Sequence, residues 1–173
     1  MNTTHESRPS APAPPRPVVL ERTYRASRQE VWDLWTTREG FESWWGPVGF
    51  RVEVHVMEPR VGGRLHYAMI ADAPAMVAEM AKMDRPGSHE TRGTFAELRP
   101  HDRLALTHII DFLPGVAAYE STIVAEFFDA GDAVRMVVTL EPMPDPEFTR
   151  MSVEGFTSQL TKLEQRFGAS ASR

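Results

Sequence analysis

Histidine side chains are the first candidates for chemistry, because an imidazole can act as a general acid or base near neutral pH and can ligate zinc. His55, His66 and His108 all fall in segments that the sequence predicts to be β-strands. Their spacing includes no compact HxH or HxxxH pair of the kind that favours a metal site, although a turn between the first two strands could bring His55 and His66 together. His108 is the best candidate for a cavity wall, because it alternates with Leu106 and Ile110 on the apolar face of its strand.

Aromatic side chains form a second group of candidates. Trp44 and Trp45 stand next to each other before Gly46-Pro47, and we expect one of them to pack in the core and the other to line a cavity. Tyr67 shares the apolar face of its predicted strand, and Tyr119 opens a later strand. A buried tyrosine hydroxyl needs a hydrogen-bond partner, which protein, water or a ligand carbonyl can provide.

Methionines are abundant, with nine in the chain. Thioether side chains repack around ligands of varied shape, but they also fill gaps in a core, and both interpretations stay open here. The residues that the sequence predicts to bind a ligand are Trp44, Trp45, His55, His66, Tyr67, Met69, His108, Ile110, Tyr119, Met136, Met151 and Phe156.

Composition excludes several classes of protein. The 173 residues suit one domain, and the net charge of −5 argues against a nucleic-acid partner. The chain has no cysteine, so disulfides, thiolate metal sites and cysteine nucleophiles are excluded. It has no apolar run long enough to span a bilayer and no apolar signal sequence, so we expect a cytoplasmic protein without membrane insertion. Because Gly62-Gly63 leads into a strand and not a helix, a phosphate loop is not indicated, and we expect no cofactor and no metal.

The elements that must position these side chains follow from local patterns. A strand at 18–25 precedes a capping box formed by Ser27 and Glu30, which predicts a first short helix. Thr37 is placed to cap a second short helix that runs to Trp45. Alternating apolar residues and turn signals then predict six strands at 50–57, 64–70, 91–98, 103–112, 119–128 and 133–141.

Two further segments and both chain ends complete the organisation. The methionine-rich segment 71–88 interrupts the strands as a short amphipathic helix or a mobile loop, and a long amphipathic helix is predicted at 147–167. Residues 1–16 are rich in proline, serine and alanine, which predicts a disordered leader. We therefore expect one domain at 17–168, followed by a polar tail at 169–173.

The order of elements favours an α+β fold in which strands and helices are segregated. A twisted antiparallel sheet has one apolar face to cover, and the long C-terminal helix is the natural cover. A curved sheet wrapped around one helix leaves a space that is open at one end. We expect the methionine-rich segment to lie over that opening as a lid.

Five motifs in this order resemble one family across nearly the whole domain. They are ASRQEVWDLWT at 26–36, WWGP at 44–47, PRVGGR at 59–64, RGTF at 92–95 and GFTSQLTKL at 155–163. The chain resembles the START-like, or SRPBCC, superfamily and, within it, the proteins similar to the activator of the Hsp90 ATPase (AHSA1-type). Phe156 departs from the tryptophan usual in that family, and the insertion at 71–88 is longer than a plain hairpin.

The resemblance implies a helix-grip fold, a curved antiparallel sheet around a long C-terminal helix with two short helices after the first strand, and an internal cavity. Its members include ligand carriers, polyketide cyclases and dehydratases, resistance proteins and co-chaperones, so the fold does not choose a function. We expect a binding protein for a hydrophobic small molecule, aromatic or lipid-like. The alternatives are a polyketide cyclase or dehydratase that uses histidine, tyrosine and glutamate as acid and base, or a co-chaperone. A homodimer and a chaperone partner stay open.

Overall fold

The computed structural model describes residues 13–168. They form seven strands and four helices. The elements are β1 (Val18–Tyr24), α1 (Arg28–Thr36), α2 (Arg38–Glu42), β2 (Phe50–Met57), β3 (Arg64–Ala71), α3 (Pro74–Lys82), β4 (Ser88–Arg99), β5 (Arg103–Ile110), β6 (Tyr119–Ala130), β7 (Ala133–Leu140) and α4 (Pro146–Phe167).

The strands form one antiparallel sheet in the order β1-β7-β6-β5-β4-β3-β2. Two register shifts, between Val54 and Val56 and between Phe95 and Glu97, mark β-bulges that increase the local bend of the sheet. Apolar side chains alternate along the strands and cover the inner face, as the run of buried residues at every second position of β7 shows. The α+β fold, the curved sheet and the helix-grip arrangement are confirmed.

Helix α4 packs unevenly along its length. Its C-terminal half is fixed to β1, where the Tyr24 and Phe167 ring centroids are 5.7 Å apart and Arg22 Nε donates to Glu164 Oε1 at 3.0 Å. Leu160 and Leu163 are fully buried there. The N-terminal half lines the space described below, through Phe148, Met151, Ser152 and Gly155.

The short helices begin where the sequence predicts. Ser27 Oγ accepts from the Glu30 amide at 3.1 Å, and Glu30 Oε2 accepts in return from the Ser27 amide at 2.7 Å, which completes the capping box. Thr37 Oγ1 accepts from the Gly40 amide at 3.0 Å and caps α2. Helix α2 ends at Glu42, short of the predicted Trp45, because the following residues form a turn and send both indoles inward.

The methionine-rich segment contains helix α3, so the helical interpretation is correct and the loop is not. The helix is held beside the start of β2, where the amides of Asp72 and Ala73 donate to the Gly49 carbonyl at 2.9 and 3.2 Å. None of its residues is buried. Its position beside β2 differs from the predicted lid, because no α3 side chain lines the cavity of the described residues.

The strand boundaries differ from the prediction at a few ends. β4 begins three residues earlier, at Ser88, and β5 ends at Ile110 instead of continuing through Phe112. Residues 13–16 are exposed and form neither helix nor strand, whereas most of the predicted leader, 1–12, and the tail, 169–173, lie outside the described residues. Among the helices of residues 13–168, none is long and apolar enough to cross a membrane.

Candidate functional site

A cavity of about 320 Å³ lies between the N-terminal half of α4 and the inner face of the sheet. Strands β3, β4, β5 and β6 and the end of β7 form one wall, α4 forms the other, and the turn after α2 closes one side. The cavity-lining side chains are mostly apolar and include Met69, Ile110, Ile123, Leu140, Met143 and Phe148. The space therefore suits an apolar molecule better than a charged one.

Three side chains on the sheet side form a buried hydrogen-bonded network. Trp45 Nε1 donates to the Tyr67 hydroxyl oxygen at 2.9 Å, and that oxygen is 3.2 Å from His108 Nε2. The Trp45 and His108 rings also stack, with centroids 5.9 Å apart and planes 19° apart. Gly93 is the register partner of His108, and its missing side chain leaves room for the imidazole, since a Cβ there would lie 3.3 Å from His108 Cδ2.

Burial sets the charge of this network. It lowers the pKa of His108 to about 4 and raises the pKa of Tyr67, so both side chains are neutral at neutral pH. Because the Trp45 nitrogen can only donate, the Tyr67 oxygen accepts from it. The tyrosine proton is then available to His108 Nε2, which accepts in the neutral ring.

Gln159 connects α4 to the turn that follows α2. Its Oε1 accepts from the Gly46 amide at 3.0 Å, and its Nε2 is buried without a hydrogen-bond partner among the described residues. Ser158 Oγ accepts from the Val48 amide at 3.0 Å, and Lys162 Nζ donates to the Gly46 carbonyl at 2.8 Å. One face of α4 thus fixes residues 46–48, including the wall residue Pro47.

The open side of the cavity carries exposed apolar side chains. Phe112 and Met151 are each about half exposed, at 48% and 49%. The His89 ring lies beside Phe112 with centroids 5.2 Å apart, and burial lowers the pKa of His89. Glu141 also lines the cavity. Aromatic and thioether groups therefore surround the entrance.

Seven of the residues predicted to bind a ligand line this cavity. They are Trp45, Tyr67, Met69, His108, Ile110, Met151 and Phe156. The structure brings them together from the turn after α2, two strands of the sheet (β3 and β5) and α4. Five other predicted residues lie away from the cavity: Trp44, His55, His66, Tyr119 and Met136.

Two of these five are buried in the core. Trp44 packs edge-to-face on Trp35, with centroids 5.0 Å apart, and its Nε1 donates to the Leu34 carbonyl at 2.8 Å. Met136 lies on the inner face of β7 and is 1% exposed. Both side chains fill core space, and of the adjacent tryptophans only Trp45 borders the cavity.

The other three lie on outward-facing or peripheral positions. His55 is exposed on β2, and its Nε2 is 3.3 Å from Glu90 Oε1. His66 alternates with the buried Leu65 and Tyr67 and so points away from the cavity. Tyr119 begins β6 with its hydroxyl unpartnered among the described residues, and burial raises its pKa. Within residues 13–168 no three histidine, aspartate or glutamate side chains gather as metal ligands would.

Sequence reasoning missed several wall residues, chiefly Gln159, His89, Thr91 and Phe112. The alternation of Thr91 with Gly93 and Phe95 along β4, extended two residues back, would have found His89. Gln159 had no such signal, because a glutamine on a helix is usually exposed and its partner is 113 residues away in sequence.

Comparison with known proteins places this architecture in a family. The model of the family described as Activator of Hsp90 ATPase homolog 1-like protein matches residues 25–168. The chain belongs to this family. Among curated proteins, none matches this AHSA1-like chain.

Several solved structures share the AHSA1-like fold at low sequence identity. A crystal structure of a Chromobacterium violaceum protein is 21% identical, with 89% of this chain and 98% of that chain covered and a TM-score of 0.71. A crystal structure of an AHSA1 protein from Silicibacter pomeroyi is 18% identical, with 87% and 96% covered and a TM-score of 0.68. A solution structure of a Staphylococcus epidermidis protein is 20% identical, with 91% and 94% covered and a TM-score of 0.65. These likenesses establish the fold alone.

Proposed function

We propose that this AHSA1-like protein binds one small, largely apolar molecule, aromatic or lipid-like, in the cavity between α4 and the sheet. The observation that carries the proposal is the cavity itself, about 320 Å³ with apolar side chains on both walls and an open side. That volume lies at the lower end of the range of small-molecule sites. A ligand that fills an apolar space of this size removes apolar wall surface from water, which stabilises the complex.

The composition of the wall supports an aromatic or flexible apolar ligand. Trp45, Phe148 and Phe156 offer ring faces and edges, which favour offset or edge-to-face contact with another ring. Met69 and Met151 supply thioether groups that adapt to different shapes. The half-exposed Met151 stands at the entrance, where it contacts a molecule that enters.

A catalytic function is the second candidate, and the Tyr67–His108 pair on the wall is the observation that favours it. A polyketide cyclase or dehydratase would use such a pair as acid and base. However, general acid–base catalysis works best with a pKa near the operating pH, and burial lowers the pKa of His108 to about 4. The imidazole is therefore a weak base, which favours binding over catalysis. If the wild-type protein turned over a polyketide-like substrate and His108→Gln abolished that turnover, the catalytic function would be preferred over simple binding.

Four properties stay predictions. Chaperone binding is tested by pull-down, homodimer formation by sedimentation and cytoplasmic location by cell fractionation. The domain boundary at 17–168 is tested by truncation of residues 1–16. The cavity does not depend on any of them, because all of its walls come from one chain.

The binding proposal is tested through Gly155, which lies on the cavity wall in α4. Apart from its two chain neighbours and the nearby backbone of its own helix, a Cβ built there meets no atom of the described residues within 4 Å, so a larger side chain has room to extend into the cavity. We expect the neutral fluorophore N-phenyl-1-naphthylamine to bind the wild-type protein saturably, with a rise in emission. Gly155→Leu should weaken this binding at least about tenfold by filling the space.

Gly155→Ala is the matched control. Replacing a mid-helix glycine by alanine should stabilise the protein by about 1 kcal/mol and leave saturable binding in place. Wild-type emission that rises without saturation, or a Gly155→Leu protein that binds as the wild type does, would contradict the proposal.

A further inference from the structure

We propose that the molecule in the cavity carries a neutral carbonyl oxygen and that Gln159 Nε2 donates a hydrogen bond to it. This inference rests on the proposed binding function and goes beyond it, because it names the chemical class of the ligand. It concerns a side chain on α4, opposite the Tyr67–His108 pair on the sheet.

The orientation of the Gln159 amide follows from its backbone partner. The Gly46 amide can only donate, so the side-chain atom 3.0 Å from it is the acceptor oxygen Oε1. The other end of the amide is therefore the NH2 group, which offers two donor hydrogens. Gln159 is 4% exposed, and its Nε2 has no hydrogen-bond partner among the described residues.

An unpartnered buried donor costs free energy unless a ligand or water satisfies it. Gln159 lines the cavity, so a molecule in the cavity is within reach of its side chain. The Tyr67 hydroxyl already accepts from Trp45 and pairs with His108. The Gln159 NH2 group is thus a donor that the protein itself leaves without an acceptor.

The charge of the wall selects a neutral acceptor. No lysine or arginine lines the cavity of the described residues, and Glu141 does. Lys162, three residues further along α4, donates instead to the carbonyls of Gly46 and Phe50 at 2.8 and 3.2 Å. Burying a carboxylate without a paired cation is expensive. A ketone, ester, amide or quinone oxygen meets no such penalty and accepts the same hydrogen bond.

Two probes of equal shape isolate the hydrogen bond. 2-Acetylnaphthalene and 2-isopropenylnaphthalene differ only in the replacement of C=O by C=CH2. Because the alkene leaves water more readily, the quantity to compare is the ratio of the alkene Kd to the ketone Kd within each variant. A third probe, 2-naphthoate, replaces the neutral carbonyl with a carboxylate.

Gln159→Glu is the informative variant when its new carboxyl group is ionised, since a carboxylate keeps an acceptor for the Gly46 amide and has no donor. Because burial raises the pKa of a carboxyl group, binding to every variant is measured at about pH 9. We expect the alkene-to-ketone Kd ratio to fall about tenfold in Gln159→Glu. Ser158→Ala is the control. It removes the hydrogen bond that Ser158 Oγ accepts from the Val48 amide in the same turn, and Ser158 does not line the cavity. It should leave the ratio unchanged. In the wild type, 2-naphthoate should bind at least about tenfold more weakly than the ketone.

A spectroscopic readout on the wild-type protein makes the test independent of the variant's stability. The side-chain NH2 resonances of Gln159 should shift on addition of 2-acetylnaphthalene and should not shift in the same way with the alkene. An unchanged Kd ratio in Gln159→Glu, or NH2 resonances that respond equally to both probes, overturns the inference about Gln159. If N-phenyl-1-naphthylamine still binds the wild-type protein saturably, the proposed function is unaffected by that result. Loss of all probe binding in the wild type overturns both.

Discussion

The stability of this protein on the acid side of neutrality should depend on His108. Its imidazole is packed against Trp45 and Tyr67, and burial lowers its pKa from 6.5 to about 4. The unfolded chain takes up the proton near pH 6.5, whereas the folded protein leaves the ring neutral down to about pH 4. Since the unfolded state binds more protons in this window, the free energy of unfolding falls as pH falls from about 6.5 to about 4.

The size of the effect follows from the two pKa values. Each pKa unit corresponds to about 1.4 kcal/mol, so the full contribution of His108 is about 3 kcal/mol. At about pH 5 roughly 2 kcal/mol of it is expressed, because the unfolded imidazole is then mostly charged and the folded one mostly neutral. Burial also lowers the pKa of His89, so the contribution of His108 must be isolated by comparison with a variant.

His108→Gln removes the titrating ring and keeps a hydrogen-bonding partner for Tyr67. The free energy of unfolding is measured by urea titration at about pH 8 and at about pH 5. We expect the loss of stability between these two pH values to be about 2 kcal/mol smaller in this variant than in the wild type. His66→Gln is the matched control, since it removes a histidine from the outward-facing side of β3. Equal acid losses in the wild type and His108→Gln would refute the assignment of a buried neutral imidazole.

Three further substitutions test the sheet and the turn before β3. Tyr67→Phe should cost about 1–3 kcal/mol in urea unfolding, because it leaves the buried Trp45 nitrogen without an acceptor; an unchanged midpoint would show that this bond contributes nothing. Gly62→Ala should lower the free energy of unfolding by on the order of 1 kcal/mol, because Gly62 has a φ of +80°, which is strained for alanine. The cost stays at that level because a Cβ at this position meets no neighbouring atom of the described residues. Gly63→Ala should cost more, since its Cβ would lie 1.9 Å from the Glu58 carbonyl oxygen; the opposite order of midpoints would contradict this account.

The sequence predicts the architecture well because the relevant signals are local. Strand β7 shows its buried face through alternation alone, and Ser27 and Glu30 announce α1 through their spacing. The consecutive glycines at 62 and 63 indicate a turn in which at least one residue has a positive φ, and the φ of Gly62 is +80°. Each of these features depends on neighbours within a few residues, so no knowledge of the tertiary structure is required.

The candidate site is less predictable because its contacts are distant in sequence. Trp44 and Trp45 lie in a turn, where neither the period of a strand nor that of a helix assigns a direction, so only the folded chain distinguishes core from cavity. Gln159 becomes a buried group only because Gly46 meets it across 113 residues. His55 and His66 lie on neighbouring strands, as expected, but on their outward-facing sides.

The location of the bound molecule can be read from methionine methyl groups. Met69, Met143 and Met151 line the cavity, whereas Met80 lies on the outlying helix α3 and Met83 directly follows it. In the methyl NMR spectrum of protein labelled at methionine, N-phenyl-1-naphthylamine should shift the three cavity methionines along one saturating curve and leave the other two in place. Shifts confined to Met80 and Met83 would place the probe on α3 and contradict a ligand-binding cavity between α4 and the sheet.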